Sequence, residues 1–251
     1  MAWIGRELTP IGFGAFKIGR NEGIKYPRKY DLPDERNIER LLNGVLDLGI
    51  NLIDTAPAYG LSEERIGRSI AHRRDEFLLS TKVGETFEDG KSTYDFSQGA
   101  VHKSIVKSLQ RLQTDVLDLV FVHSSRDDVY VVEQTVVVPT LQALRDKGLI
   151  RAIGFSGYTN SGFRAALPWA DAIMVEYHQE HRGHEELITE AAAKQVAVLV
   201  KKSLRSGTLG PAAAIAFALS NSSVTSLVLG SLNLDHVREC LRIAQRVRGK
   251  T

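Results

Sequence analysis

The sequence predicts one α/β domain, residues 1–251, folded as a closed (β/α)8 TIM barrel. Three observations predict it: eight short apolar runs, a stretch of helical period after each, and no break in composition between them. The runs fall at Pro10–Phe16, Ile50–Asp54, Phe77–Lys82, Leu117–His123, Ile150–Phe155, Ala172–Tyr177, Val196–Lys201 and Ser226–Gly230. Several are rich in Val and Ile, bounded by Gly, Asp or Ser, and too short for helices. Asp34–Leu48 opens on an acidic cap and puts Ile38, Leu41, Leu42, Val45 and Leu46 on one face. Ser62–Ser69 is a short helix, and Ser97–Leu112 aligns Val101, Ile105, Leu109 and Leu112. Val132–Lys147, a short Ser161–Ala166, His184–Lys194, Pro211–Leu219 and Leu234–Val247 complete the series. An open doubly wound sheet is the alternative, but it needs a nucleotide-binding glycine fingerprint after the first strand. Gly12-Phe13-Gly14-Ala15-Phe16 has no third glycine opening a helix.

Composition narrows the function classes. With 43% hydrophobic and 25% charged residues the chain has the make-up of a soluble globular protein. A net charge of +2 with both signs interspersed gives no footprint for nucleic acid or an acidic membrane. Cys240 is the one cysteine, so no internal disulfide forms, which fits a reducing compartment. The first eight residues lack a signal-peptide layout, and no apolar run approaches the roughly 18 residues of a membrane span. A cytoplasmic protein is expected, as a monomer or small homo-oligomer, since no heptad or apolar stripe fixes its assembly.

In a parallel barrel the C-terminal strand ends open on one face, and chemistry gathers there. Asp54 ends the second strand, Lys82 the third and His123 the fourth, while Tyr59 sits in the loop just past Asp54. Reducing a carbonyl requires this set. Hydride addition leaves negative charge on oxygen, and a tyrosine hydroxyl can deliver the proton that neutralises it. An adjacent ammonium stabilises the phenolate; lowering a phenol by about 3 pH units needs roughly 4 kcal/mol. A carboxylate keeps that lysine charged, and a histidine holds the substrate oxygen. Tyr59, Lys82, Asp54 and His123 fill these roles in order. The competing readings are a purely structural Asp54–Lys82 ion pair, a histidine that is only a rim residue, and a Schiff-base lysine at Lys82.

With these residues in place the sequence resembles the aldo-keto reductase family over nearly its whole length. The resemblance is carried by Pro10–Phe16, by Gly49–Gly60 with Asp54-Thr55-Ala56-Pro57-Ala58-Tyr59-Gly60, and by Leu79-Ser80-Thr81-Lys82. Further along, Leu117–His123, Lys147–Gly154 and Val175-Glu176-Tyr177-His178 carry it. It implies catalytic roles for Asp54, Tyr59, Lys82 and His123. It also implies a nicotinamide cofactor, NADPH with NADH as the alternative, extended across the barrel mouth without a Rossmann fold. The contacts it implies are Gly14, Ala15 and Phe16; Ser156 and Gly157; Met174; Lys201, Lys202, Ser203, Leu204 and Ser206; Gly230 and Ser231; and His236 and Cys240.

This chain departs from the family pattern at the cofactor. Gly157 stands where a family asparagine usually follows the serine, and Met174 replaces a glutamine. Lys201 and Lys202 occupy a stretch that elsewhere holds an aromatic residue and Ser-Pro-Leu. His236 and Cys240 align with an arginine and an asparagine around the adenosine. Lys201 and Lys202 either bring charge to the cofactor or form a solvated strand end. A non-catalytic nicotinamide-binding barrel, acting as a regulatory subunit, is the alternative; the intact quartet favours an enzyme of small carbonyl or alcohol substrates. Short loops after strands four and seven imply an open mouth. Only Lys17–Pro33, with Lys25, Tyr26, Arg28, Lys29 and Tyr30, is long enough to fold over it and meet a polyol or anionic substrate.

Overall fold

In a computed structural model the barrel is closed. The structure describes residues 2, 3, 5–24, 26 and 29–249. The barrel strands are β1 (Ile11–Gly14), β2 (Leu52–Asp54), β3 (Leu78–Val83), β4 (Leu117–His123), β5 (Ile150–Ser156), β6 (Ala172–Glu176), β7 (Ala197–Lys201) and β8 (Ser226–Leu229). Neighbours pair in parallel, and β8 returns to β1 through Leu227–Ile11, Val228–Gly12 and Leu229–Phe13. That closing register excludes the open doubly wound sheet.

The helices are α1 (Glu35–Asp47), α2 (Ser62–Ile70), α3 (Gln98–Leu112), α4 (Asp128–Glu133), α5 (Val137–Asp146), α6 (Asn160–Ala166), α7 (Glu185–Ala193), α8 (Pro211–Ser220) and α9 (Leu234–Arg248). Asp34 caps α1 by accepting the Asn37 N–H at 2.7 Å, a contact worth about 1 kcal/mol. The single helix expected at Val132–Lys147 is broken into α4 and α5. Thr135 is the cause: its hydroxyl donates to the Val131 carbonyl at 2.7 Å and accepts the Val137 N–H at 3.4 Å, displacing the helical ladder.

Side chains alternate along each strand, which divides the core into two layers. Leu52, Leu78, Leu119, Phe121, Ala172, Met174 and Leu199 fill the barrel interior. The intervening Ile53, Leu79, Val120, Val122, Ile173, Val198 and Val200 join the outer layer with Ile38, Leu42 and Val45 of α1. Burying each such side chain contributes about 2 kcal/mol. At the barrel floor Asp118 is buried and accepts from Arg74 at 2.6 Å, Arg151 at 2.8 Å and the Leu79 N–H at 2.8 Å. No helix among the described residues is long and apolar enough to cross a membrane.

One element over the mouth was not expected. Glu85–Glu88 and Lys91–Tyr94 form an antiparallel hairpin after β3. Its two-residue turn, Asp89-Gly90, has φ of 50° and 76°, the left-handed pair that matches strand twist. The mouth is therefore partly walled rather than open.

Candidate active site

The interior rows of the strands run upward into the site. The parity that turns Leu52 inward also turns Asp54 inward, two residues on; Leu78 leads likewise to Ser80 and Lys82, Phe121 to His123, and Leu199 to Lys201. The apolar pattern that builds the core thus aims the polar groups. Tyr59 arrives differently, at the end of the turn Pro57–Tyr59, where its N–H donates to the Ala56 carbonyl at 3.0 Å. Gly60 permits this turn: its φ is +60°, and a Cβ there would lie 2.4 Å from the Gly19 carbonyl oxygen.

Asp54 and Lys82 are 3% and 1% exposed, so neither charge is left to solvent. Lys82 Nζ donates to Asp54 at 2.9 and 2.7 Å and to the Thr55 carbonyl at 2.8 Å. Ser80 donates to the same carboxylate at 2.6 Å. The ammonium lies 4.8 Å from the centre of the Tyr59 ring. Phe16 packs edge-on against that ring at 5.0 Å, and His123 faces it at 6.5 Å with the planes 88° apart. The four predicted catalytic residues thus gather at one end of the barrel.

Burial and charge decide their protonation. Burial opposes the Lys82 ammonium, but attraction to Asp54 and the neighbouring phenol outweighs it and holds Lys82 above the ordinary lysine range. The Tyr59 hydroxyl is pushed up to about 12, first by burial and then by the Asp54 charge, against the lowering effect of Lys82. Lys82 therefore acts in the expected direction without producing an acidic phenol, because burial outweighs its field and Asp54 offsets part of it. At neutral pH Tyr59 is a protonated donor.

Burial lowers His123 while Glu85 raises it, and the net change is downward. Glu85 Oε2 lies 2.7 Å from His123 Nδ1. Burial opposes the Glu85 carboxylate as well, yet contact with His123, Ser92 and Arg20 brings it down to about 2. Glu85 was missed in the sequence, although the Asp89-Gly90 turn signal marked the hairpin that carries it.

A cavity of about 380 Å³ opens over these residues. Gly14, Phe16, Ser156, Met174, Lys201, Lys202, Ser206 and Gly230, all expected at a cofactor, line it. Ala15 is fully buried, and Gly157 meets the site through its carbonyl, which accepts from Lys201 at 3.3 Å. Ser203 is buried with its hydroxyl unpaired, Leu204 packs on the outer core, and the Ser231 hydroxyl accepts the Asn233 N–H at 3.1 Å. His236 is exposed on α9, and Cys240 packs against the core, away from the cavity lining. From the segment over the mouth, Tyr26 lines the cavity, and Tyr30 donates to the Arg20 carbonyl. Lys25 and Arg28 lie outside the described residues.

The two lysines after β7 differ. Lys202 is half-buried and pairs with Glu176, whereas Lys201 donates to the Ser156 hydroxyl at 2.9 Å and to the Gly157 carbonyl. Tyr158 and Arg126, unassigned in the sequence, stand beside it on the cavity wall.

Comparisons with known proteins agree with this geometry. A family model described as the aldo/keto reductase family matches residues 10–213. The aldo-keto reductase YhdN of Bacillus subtilis is 33% identical over 213 residues, 82% of this chain and 61% of that protein. D-threo-aldose 1-dehydrogenase of a Pseudomonas species is 26% identical over 215 residues, 76% of this chain and 62% of that protein. The chain thus spans about three fifths of the length of these two curated relatives. A solved structure from Pseudomonas aeruginosa, provisionally described as an aldo-keto reductase, is 38% identical with a TM-score of 0.89. That likeness covers 96% of this chain and 91% of the other. A closed barrel, a quartet of acid, phenol, ammonium and imidazole at its mouth, and a family match over most of the chain lead to one assignment: the protein belongs to the aldo/keto reductase family.

Proposed function

We propose that the protein reduces aldehydes, ketones or sugar-like carbonyls with NADPH, NADH being the alternative, and that Tyr59 delivers the proton. The observation that carries this reading is the Tyr59 phenol, protonated at neutral pH and set beside a buried, Asp54-bound Lys82. The name of the Pseudomonas relative, an aldose dehydrogenase, supports the sugar-like class.

The strand ends fit a dinucleotide in two ways. Gly14 and Gly230 approach so closely that a Cβ on Gly230 would lie 2.5 Å from the Gly14 carbonyl, leaving a rim free of side chains. Ser203 buries an unpaired hydroxyl just after β7. Ser156, Lys201, Lys202, Ser203, Ser206 and Gly230 would hold the cofactor, and Met174 would floor it. When bound, a reduced nicotinamide supplies the hydride.

The chain's own residues do the remainder. Tyr59 and His123 bracket the position of the substrate oxygen, and the imidazole orients it. As charge grows on that oxygen, the Tyr59 proton moves to it, and the Lys82 ammonium stabilises the phenolate left behind. Asp54, Ser80 and the Thr55 carbonyl keep that ammonium charged and fixed. The single cysteine, Cys240, supports a reducing compartment such as the cytoplasm on this reading. A panel of small aldehydes followed by NADPH absorbance, with calorimetric titration of NADPH and NADH, tests the proposal. Turnover with micromolar NADPH affinity is expected; failure of both cofactors to bind below millimolar would overturn it.

A further inference from the structure

Glu85 reaches the His123 imidazole because of the way the chain leaves the barrel after β3. β3 and β4 pair through Lys82–Phe121 and Val83–Val122, so the residues just past Val83 lie beside His123. Gly84 turns the chain there with a φ of +103°, and a Cβ on it would lie 2.2 Å from the Phe96 ring. Its carbonyl accepts the Asp95 N–H at 2.9 Å, which closes the base of the hairpin where Glu85 pairs with Tyr94. One carboxylate oxygen of Glu85 lies 2.7 Å from His123 Nδ1, and the other accepts the Ser92 hydroxyl at 2.6 Å. The two side chains are 10% and 14% exposed, so the contact is shielded from solvent.

This carboxylate decides where the imidazole carries its proton. Burial opposes the Glu85 charge, yet His123, Ser92 and Arg20 keep it ionised, and an ionised carboxylate only accepts. An Nδ1 lone pair at 2.7 Å would face a negative oxygen, whereas an N–H at Nδ1 satisfies it. A neutral imidazole has a single N–H. Nε2, the nitrogen left for a ligand in the cavity that His123 lines, then carries only a lone pair. A carbonyl oxygen is also only an acceptor, so it gains a hydrogen bond from Nε2 when the ring takes a second proton.

Resting on the reading of the site as a carbonyl reductase, we propose that Glu85 is a positioning residue that holds the His123 proton on Nδ1, so that Nε2 donates to a carbonyl only in the imidazolium. The neutral ring instead receives the hydroxyl of the alcohol. Charged groups surround this imidazole from several elements: Glu85 from the hairpin, Lys82 with Asp54 from β3 and β2, and Lys201 from β7. Arg126, from the loop after β4, lines the same cavity. Burial, with the two lysines, outweighs Glu85 and holds the ring below the ordinary histidine range, so the imidazolium is the minor form at neutral pH. Tyr59 stays un-ionised there and remains the proton source. Reduction therefore slows as the pH rises beyond the His123 midpoint.

Nitrogen-15 NMR of the wild type at pH 8 reads the tautomer without turnover, and the expected neutral ring carries its proton on Nδ1. In Glu85→Gln the amide oxygen keeps the Ser92 hydroxyl and turns the amide N–H toward Nδ1, which moves the ring proton to Nε2. With pentanal, a neutral aldehyde, wild-type kcat/KM should fall by about tenfold per pH unit between pH 7 and 9. That of Glu85→Gln should fall by less than about threefold over the same range, because its neutral ring already donates. Lys201 titrates in both proteins, so the difference between the two profiles reports Glu85. Support of the fold alone would lower kcat/KM equally at every pH. Parallel profiles, or a wild-type neutral ring protonated on Nε2, would overturn the proposal, and the wild-type spectrum decides even if the variant does not fold. A ring protonated on Nδ1 in a protein that reduces no aldehyde would count against the reductase reading and leave the tautomer assignment standing.

Discussion

Lys201, which has no carboxylate within 4 Å among the described residues, makes a quantitative prediction about stability. Free lysine titrates at 10.5 and Lys201 at about 7, a gap of about 3.5. At about 1.4 kcal/mol per pH unit this corresponds to at most about 5 kcal/mol charged against the folded state. Solvent at the cavity mouth reduces the figure, and about 2–3 kcal/mol is a reasonable residue of it. The sign follows from linkage. Between pH 7 and 10.5 the unfolded chain carries a proton that the native amine has lost, so stability from this group rises with pH across that window. Below pH 7 the native protein bears the full penalty. Lys201→Met removes it and is expected to be more stable than the wild type at pH 6 by about 2–3 kcal/mol, less a smaller loss from the Ser156 and Gly157 hydrogen bonds. At pH 9.5 most of the gain disappears. Urea unfolding of both proteins at the two pH values measures the difference directly, since every other titrating group is common to both. A pH-independent difference, or a variant less stable at pH 6 than at pH 9.5 relative to the wild type, would refute the burial of an uncompensated charge.

The Asp54–Lys82 pair separates stability from chemistry. Lys82→Met leaves a buried carboxylate unpaired and should cost about 3–5 kcal/mol, while Lys82→Met with Asp54→Asn should recover much of that loss without recovering turnover; urea melts with a rate assay decide it. Glu85→Gln removes the carboxylate that raises His123 against burial, so the imidazole midpoint, read by proton NMR, should move down. An upward or absent movement would contradict the contact. At the barrel floor Asp118→Ala strands Arg74 and the Leu79 N–H, and a loss of about 3 kcal/mol in urea is expected with kcat/KM retained.

The barrel was legible because its strands are buried on both faces and written as short Val- and Ile-rich runs, and because strand parity ties Leu52 to Asp54 and Leu78 to Lys82. Gathering at one mouth followed from the same parity. The hairpin after β3 was illegible to a search for apolar runs, since its strands are largely polar and exposed; the Asp89-Gly90 turn was its only strong sign. The α4–α5 break hid in one threonine hydroxyl, within a continuous helical period. The unequal fates of Lys201 and Lys202 depend on a left-handed residue that no local pattern announces, and His236 and Cys240 fall outside the cavity because α9 packs Cys240 against the core. The phenol's proton affinity required summing burial against two opposite charges, which only coordinates permit.

The proton's origin is the centre of the account, and substitution of Tyr59 by phenylalanine reads it most directly. At saturating NADPH, with the dissociation constant for NADPH within about twofold of wild type, Tyr59→Phe should lower kcat/KM for aldehyde reduction by about 10²–10⁴-fold. Turnover within about tenfold of the wild type, with the cofactor bound equally well, would show that the proton comes from elsewhere.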